Sequence, residues 1–534
     1  MVGLLASEVR ESKERVRTAL KNSGVSLPIG RITVSLSPAN IRKEGSGFDL
    51  PIAISLLCNM EMIDYDFFKE FIILGELGLD GEVKPVRGVL PIVNMARKKG
   101  YTKFIISDRS IKEAVVFDDI EIMPIGHINE LLEKTEYNNI LLKSKECREE
   151  NYEFNDATNI NIINGDRKKE NNKNFTLEIN NENEYKNNKE TEDFSDIVGQ
   201  ESVKRAIIIA TAGWHNLLMI GAPGVGKSML ASRIPTIMPK MTLEESIEVS
   251  EIHSICGLLD EEGLVKRRPF SAPHHSITNS ALIGGGNNPK PGEITIAHKG
   301  VLFLDELPEF NPNILNSLRQ PMEEKMVKIV RNSGAFVFPA DCLIVAAMNP
   351  CKCGYYPDRS RCTCSEQDVK RYISRINGPI LDRIDMEIEV SRIDNPIELS
   401  KSIKNDEYKN CLNYNNEDMN INNSVNCEDI DKNKITSSKQ MSEIISKAIE
   451  IQLKRQEGKM NGRLNSAEVR EYCVLDKDSA EFMKQVYDKF NLSIRGYYKI
   501  VRVARTIADI EESENIKIEH LMEATAYRIS NSLK

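Results

Sequence analysis

The spacing of apolar residues changes character several times along the chain, and each change predicts a different element. Val9, Val16 and Leu20 recur at helical intervals, and residues 50–57 form an apolar run that reads as a buried helix. Residues 32–36 and 71–74 are short runs rich in β-branched and aromatic side chains and read as strands. From residue 196 to about 390, apolar runs alternate with helical patterns, which predicts a parallel α/β sheet. Ile494, Tyr497, Tyr498, Val501, Ala504, Ile507 and Ala508 recur with a period of about 3.6 residues, so the last segment reads as helical.

Two polar stretches interrupt this patterning. Residues 136–193 are rich in Asn, Glu and Lys with few aromatics, too polar to bury a core, and are expected to be a disordered linker. Residues 396–440 repeat that composition and are expected to loop out of a folded unit. Five segments follow: a mixed helix and strand domain over 1–135, the linker over 136–193, an α/β core over 194–395, the insertion over 396–440, and a helical domain over 441–534.

The strongest chemical signal sits between an apolar strand, Leu217-Leu218-Met219-Ile220, and a helix opened by Met229-Leu230-Ala231. Gly221-Ala222-Pro223-Gly224-Val225-Gly226-Lys227-Ser228 fits the phosphate-binding loop pattern at every fixed position. Its glycines let successive N–H groups face phosphate oxygens, Lys227 can reach the β- and γ-phosphates, and Ser228 can ligate Mg²⁺. A second strand, Val301-Leu302-Phe303-Leu304, ends in Asp305-Glu306. Acids at a strand's carboxyl end face the ligand crevice of an open α/β sheet. Asp305 can hold Mg²⁺ through water, and Glu306 can orient and deprotonate an attacking water. A third apolar strand over 342–348 ends at Asn349, whose amide either bonds the lytic water or γ-phosphate, or simply turns the chain before Pro350. Together these residues predict binding and turnover of ATP with Mg²⁺.

Cys351, Cys353, Cys362 and Cys364 form a C-x-C pair repeated after eight residues. Four thiolates suit a tetrahedral structural Zn²⁺ and leave no open position for catalysis; reduced thiols in a loop are the alternative. Clustering of four of the eleven cysteines suits a local metal site better than a disulfide framework.

Bulk properties change the picture in three places. A length of 534 residues allows about three domains. A mean hydropathy of −0.36 predicts a soluble protein. No apolar run approaches the ~20 residues that span a bilayer, and the first residues lack a basic segment, so no membrane partner is expected and the cytoplasm is the expected location. A net charge of −9 argues against a surface coated for nucleic acid, leaving room for a local basic channel.

Further motifs carry a family likeness. They are Asp196-Ile197-Val198-Gly199-Gln200, the phosphate loop, Arg268-Pro269-Phe270-Ser271-Ala272-Pro273-His274-His275, and Pro291-Gly292-Glu293. Ala346-Ala347-Met348-Asn349-Pro350-Cys351 and Gly378-Pro379-Ile380-Leu381-Asp382-Arg383-Ile384-Asp385 complete the set. The chain resembles the YifB/ComM family of magnesium-chelatase-like AAA+ ATPases over nearly all its length outside the two polar stretches. The resemblance implies an α/β P-loop AAA+ module with a helical lid, and a ring, usually a homo-hexamer. It places Asn349 at the sensor-1 position, Arg383 at the arginine finger that reaches a neighbouring subunit's γ-phosphate (Arg375 being the alternative), and Arg495 at the sensor-2 position of the lid. Arginines there would offset negative charge on the transferred phosphoryl group. It also implies two inserted hairpins, over about 279–296 and 328–339, with Lys290, Lys299, Lys328 and Arg331 as candidates to line a pore. Roles for His274 and His275, structural or substrate-sensing, stay open.

Residues 1–135 resemble an α+β Lon-protease-like domain. Lys43-Glu44-Gly45-Ser46-Gly47 stands where that fold carries its nucleophile, but Gly47 takes the serine's place and Leu90 the partner lysine's. A Ser–Lys dyad needs both members, so peptidase activity is not expected. Val2-Gly3-Leu4 matches a point inside the family pattern, so this domain is expected to lack an N-terminal strand or two. The resemblance favours an ATP-driven motor acting on DNA, in branch migration or a helicase-like step of competence or recombination. The motor subunit of a magnesium chelatase and a nucleotide-switched scaffold are the alternatives.

Overall fold

The computed structural model describes residues 1–3, 5–38, 43–133, 137, 141–144, 192–259, 263–286, 288–331, 334–376, 378–391 and 437–528. Most of the two polar stretches lies outside the described residues. The chain forms two compact units, one essentially residues 1–191 and the other residues 192–534 apart from a short segment near 261–263.

In the first unit, helix Ser7–Asn22 buries Val9, Val16 and Leu20, as their spacing predicts. Helix Asp49–Asn59 buries Leu50, Ile52, Ala53, Ile54 and Leu57. Both pack near a four-stranded sheet in the order Ile72–Ile73, Lys103–Ser107, Glu121–Ile125, Leu142–Lys143, parallel except at the last strand. Arg15 spans the two helices, donating from Nε to the fully buried carboxylate of Asp49 at 2.7 Å.

Two expectations change here. Residues 32–36 form no strand: the segment makes one isolated bridge, Ser35 to Val2, and Ile32 is exposed. β-propensity becomes a strand only where a neighbour supplies several ladder bonds, and Val2 supplies two (Val2 N–H to Val34, Leu36 N–H to Val2). The polar stretch over 136–193 also starts too early. Tyr137 stacks 5.1 Å from Phe67 and donates to the carbonyl of Leu131, and Leu142–Lys143 completes the sheet. Scattered apolar residues there fold onto the first unit.

The second unit centres on a five-stranded sheet in the order Met386–Val390, Leu217–Gly221, Leu343–Met348, Val301–Leu304, Phe270–Ser271, parallel throughout. Every residue of its three central strands is buried, as expected where both faces are covered. Alternation divides them between two cores. Leu217, Met219, Phe303, Val345 and Ala347 face helices Glu201–Gly213, Ser438–Arg455 and Ile494–Ile510. Leu218, Ile220, Leu304, Ala346 and Met348 face the other way, toward Leu307, Phe310 and Leu315.

The helical segment begins before residue 441: Ser437 and Gln440 form a reciprocal capping box that starts helix Ser438–Arg455. Ser438 also ties back to the unit's first residues, its Oγ accepting from Phe194 N–H at 2.9 Å. Helix Ile494–Ile510 buries Val501, Ala504, Ile507 and Ala508, but Ile494, in its first turn, is exposed.

His215, at the entry to the Leu217–Gly221 strand, is fully buried with Nε2 2.7 Å from Thr506 Oγ1. Burial holds its pKa down to about 4, against the pull of Asp385 and with Arg502 and Lys499 adding to the effect. The unfolded imidazole protonates near 6.5, so between these values the unfolded chain binds more protons. Stability of this unit is therefore full above about pH 6.5 and is lost as pH falls toward 4, by at most about 3 kcal/mol. Urea midpoints at pH 7 and pH 5 should differ accordingly, and His215→Gln should flatten that difference. Equal slopes in both proteins would assign the pH dependence elsewhere.

Candidate functional site

Adjacent strand ends build one cluster at the carboxyl edge of the sheet. Ile220 lies opposite Met348, and Leu304 opposite Ala346, so the loops that follow all three strands emerge together. The phosphate loop turns through Gly226, whose φ of +91° is costly for any residue with a Cβ. Gly221 serves a different need: a Cβ there would lie 2.4 Å from the carbonyl oxygen of Val390 on the neighbouring strand. Helix Lys227–Ser232 follows directly.

The Lys227 ammonium donates to the carbonyls of Gly221 (2.7 Å) and Ala222 (3.0 Å) and to Asn349 Oδ1 (3.1 Å). Burial lowers its pKa, while Asp305 and Glu306 pull it upward. Ser228 Oγ donates to Asp305 Oδ2 at 2.7 Å. That hydroxyl and carboxylate are hard oxygen donors placed side by side, the donor set Mg²⁺ prefers. Asp305 also accepts from the Glu306 N–H at 2.9 Å, and the left-handed backbone of Glu306 (φ +51°) ends the extended run of the strand. The residues read from separate motifs, Lys227, Ser228, Asp305, Glu306 and Asn349, thus share one site.

His275 joins them, its Nδ1 lying 3.2 Å from Glu306 Oε2. His274 and His275 line the same pocket as Ser228, Asp305 and Glu306, with their rings 4.0 Å apart. The motif signals both histidines, but sequence holds no sign of which acid either would face.

The arginines gather elsewhere. Arg383 Nη2 lies 2.5 Å from Glu323 Oε1, and Arg495 Nη2 lies 3.7 Å from the same oxygen. Arg375 pairs with Glu309 at 3.0 Å. Arg383 and Arg495, distant in sequence, therefore meet on one carboxylate rather than on their own phosphate loop. Glu323 carried no signal in the sequence. Behind Arg383, Asp385 is buried against Lys499 (3.4 Å) and Arg502 (3.9 Å) and accepts from Asn216 N–H at 3.0 Å.

Both inserted hairpins form. Gly284–Gly285 pairs with Lys290–Pro291, and Met326–Arg331 with Gly334–Pro339. Lys290 is exposed on the first, and Lys328 pairs with Glu324 at 3.0 Å on the second. Lys299 is tied down instead, 3.2 Å from Asp341, which Arg463 also holds at 2.6 Å.

The four cysteine sulphurs all lie within 4.8 Å of one another, and none is in a disulfide. Sγ–Sγ separations are 3.3 Å for Cys351–Cys353, 3.8 Å for Cys351–Cys362 and 3.5 Å for Cys353–Cys362. A zinc held about 2.3 Å from four sulphurs needs them about 3.8 Å apart, so the cluster can hold a metal ion of that size. Among the described residues no helix is long and apolar enough to cross a membrane.

Comparison with known proteins covers the chain in three pieces. A family model described as magnesium chelatase, subunit ChlI, matches residues 193–397; models of subunit ChlI of Mg-chelatase and of the ChlI C-terminal match 1–110 and 435–528. Competence protein ComM of Haemophilus influenzae is 38% identical over 536 residues, covering 99% of this chain and 91% of that protein. YifB of Escherichia coli is 35% identical over 534 residues, covering 100% and 92%. The magnesium-chelatase 67 kDa subunit of Heliobacterium mobile is 27% identical over 183 residues, covering 29% and 27%. With its α/β P-loop module and two relatives aligned over more than nine-tenths of both chains, the chain belongs to the YifB/ComM family of magnesium-chelatase-like proteins.

Proposed function

We propose that the chain is an ATP-hydrolysing ring motor that acts on DNA. The observation that carries this reading is the convergence of Lys227, Ser228, Asp305, Glu306 and Asn349 at one sheet edge. The loop N–H groups and Lys227 bind the β- and γ-phosphates, and Asn349 orients the γ-phosphate or the attacking water. Ser228 and Asp305 would hold Mg²⁺, which supplies charge neutralisation on those phosphates. Glu306 takes the proton of the attacking water, and His275 restrains its carboxylate.

Arg383 and Arg495 supply positive charge to the phosphoryl group of a neighbouring subunit, which makes the active unit a ring, on this reading a hexamer. Their shared position on Glu323, and not on their own phosphate loop, supports action in trans. The cysteine cluster holds a structural Zn²⁺. Residues 1–135 form a Lon-like domain without peptidase activity: Ser46 Oγ donates to the Glu76 carboxylate instead of facing an activating amine, and Leu90 is fully buried.

DNA is the favoured substrate because the aligned relative is a competence protein and because Lys290, Lys328 and Arg331 lie on the inserted hairpins. The chelatase family models favour a second reading, the motor subunit of a metal chelatase. The chelatase relative covers under a third of the chain, which weakens it.

ATP turnover of the full chain with Mg²⁺, with and without single-stranded or branched DNA, separates the readings. Several-fold stimulation by DNA supports the motor. No response to any DNA sinks it, and stimulation by a chelatase partner with porphyrin favours the second reading.

A further inference from the structure

The four-cysteine cluster is joined to the nucleotide site at three points. Cys351 follows Asn349 with only Pro350 between them, so the cluster begins where the sensor strand ends. Tyr372, on helix Glu366–Ile373 just after the last cysteine, is buried in the same core as Met348, the residue before Asn349. The third contact reaches the phosphate loop itself. Gly354 sits in the turn between the cysteine pairs with φ +87°, and a Cβ built there would lie 2.4 Å from Cδ and 2.7 Å from Cγ of Pro223. Its N–H lies 3.2 Å from Cys351 Sγ. The turn that packs on Pro223 is thereby bonded to a sulphur of the cluster.

Apart from this turn, Pro223 is exposed, at the tip of a loop whose backbone must hold several N–H groups in register with phosphate oxygens. The segment over 351–369 buries little of its own: Cys351, Cys362 and Val369 are its buried apolar residues, with the other two cysteines and Tyr356 packed around them. So small a core does not hold a turn without a cross-link, and outer contacts of a metal site orient what they touch.

We propose that metal held by Cys351, Cys353, Cys362 and Cys364 braces the phosphate loop through Gly354 and Pro223, so that metal occupancy sets nucleotide affinity. The proposal rests on the zinc reading of the cluster given above. Metal loss frees the turn, the loop loses its packing partner at Pro223, and the end of the sensor strand loosens at Asn349.

The test uses the full chain. Zinc content is measured by mass spectrometry, zinc is then removed with a chelator, and binding of a fluorescent ATP analogue is followed before removal, after it, and after zinc is restored. The expected result is bound zinc in the purified chain, affinity falling about tenfold or more on removal, and recovery on restoration. Absence of zinc overturns the zinc reading. Bound zinc whose removal leaves affinity unchanged overturns the brace and leaves the zinc reading standing. If circular dichroism shows that the metal-free chain unfolds, Gly354→Ala decides: its methyl group would meet Pro223, so nucleotide affinity should fall with zinc content unchanged. Unchanged affinity in that variant overturns the brace.

Discussion

Glu306→Gln should abolish steady-state ATP hydrolysis while leaving nucleotide binding nearly intact. Glu306 makes its side-chain contact with His275, whereas the groups placed to hold phosphates are Lys227 and the loop N–H groups. Glutamine keeps the size of the side chain and loses the ability to take a proton. Loss of a general base typically costs about 10²–10⁴-fold in rate. Turnover should fall by that amount, and the dissociation constant of a fluorescent ATP analogue should stay within about threefold. Hydrolysis persisting at the parent rate would remove Glu306 from the mechanism. Loss of both binding and turnover would point instead to collapse of the site.

Asp385→Ala should be the most destabilising single change at the joint between the sheet and the lid. Its carboxylate is buried; burial raises its pKa, but Lys499, Arg502, His215 and the Asn216 N–H outweigh this and bring it down to about 2. Lys499 is brought down by burial to about 8, so it remains charged at neutral pH, and its Nζ also donates to the Ile384 carbonyl at 2.8 Å. Removing the carboxylate leaves two cations buried without their partner, a change that costs about 3–5 kcal/mol in comparable sites. The urea midpoint of the second unit should drop accordingly. Asp385→Asn, which keeps an acceptor for Asn216, should fall between the two. Because the Asn216 side chain also donates to the Arg383 carbonyl at 3.1 Å, ATP turnover should fall with stability. Equal stability of parent and Asp385→Ala would refute this account of the joint.

What was legible in the sequence follows a physical rule. The phosphate loop, the Asp305–Glu306 strand end and Asn349 were readable because each needs particular residue types at particular offsets from an apolar strand. The clustering of the cysteine quartet was readable for the same reason, since the spacing that gathers its four sulphurs is local. Pairings set by tertiary packing were not. Nothing near Glu323 marks it as the meeting point of Arg383 and Arg495, and nothing in the spacing of Gly354 points to Pro223.

Element edges failed where local composition and tertiary contact disagree. Residues 32–36 have strand composition but too short a partner. Tyr137 and Leu142 sit in polar surroundings yet fold onto the first unit. Ile494 follows the apolar period of its helix but falls in the first turn, beyond the reach of the core.

Subunit mixing tests the central claim, a hydrolytic site shared between chains, most directly. Glu306→Gln lacks the base beside its own phosphate loop, and Arg383→Ala lacks the arginine offered to its neighbour. Each alone should be inactive. In a ring assembled from equal amounts, roughly a quarter of the interfaces pair an intact Glu306 with an intact Arg383, and ATP hydrolysis should reappear in that proportion. Recovery on mixing is the predicted result. A mixture as inactive as its parts, in rings shown by mass to contain both chains, would contradict the shared site.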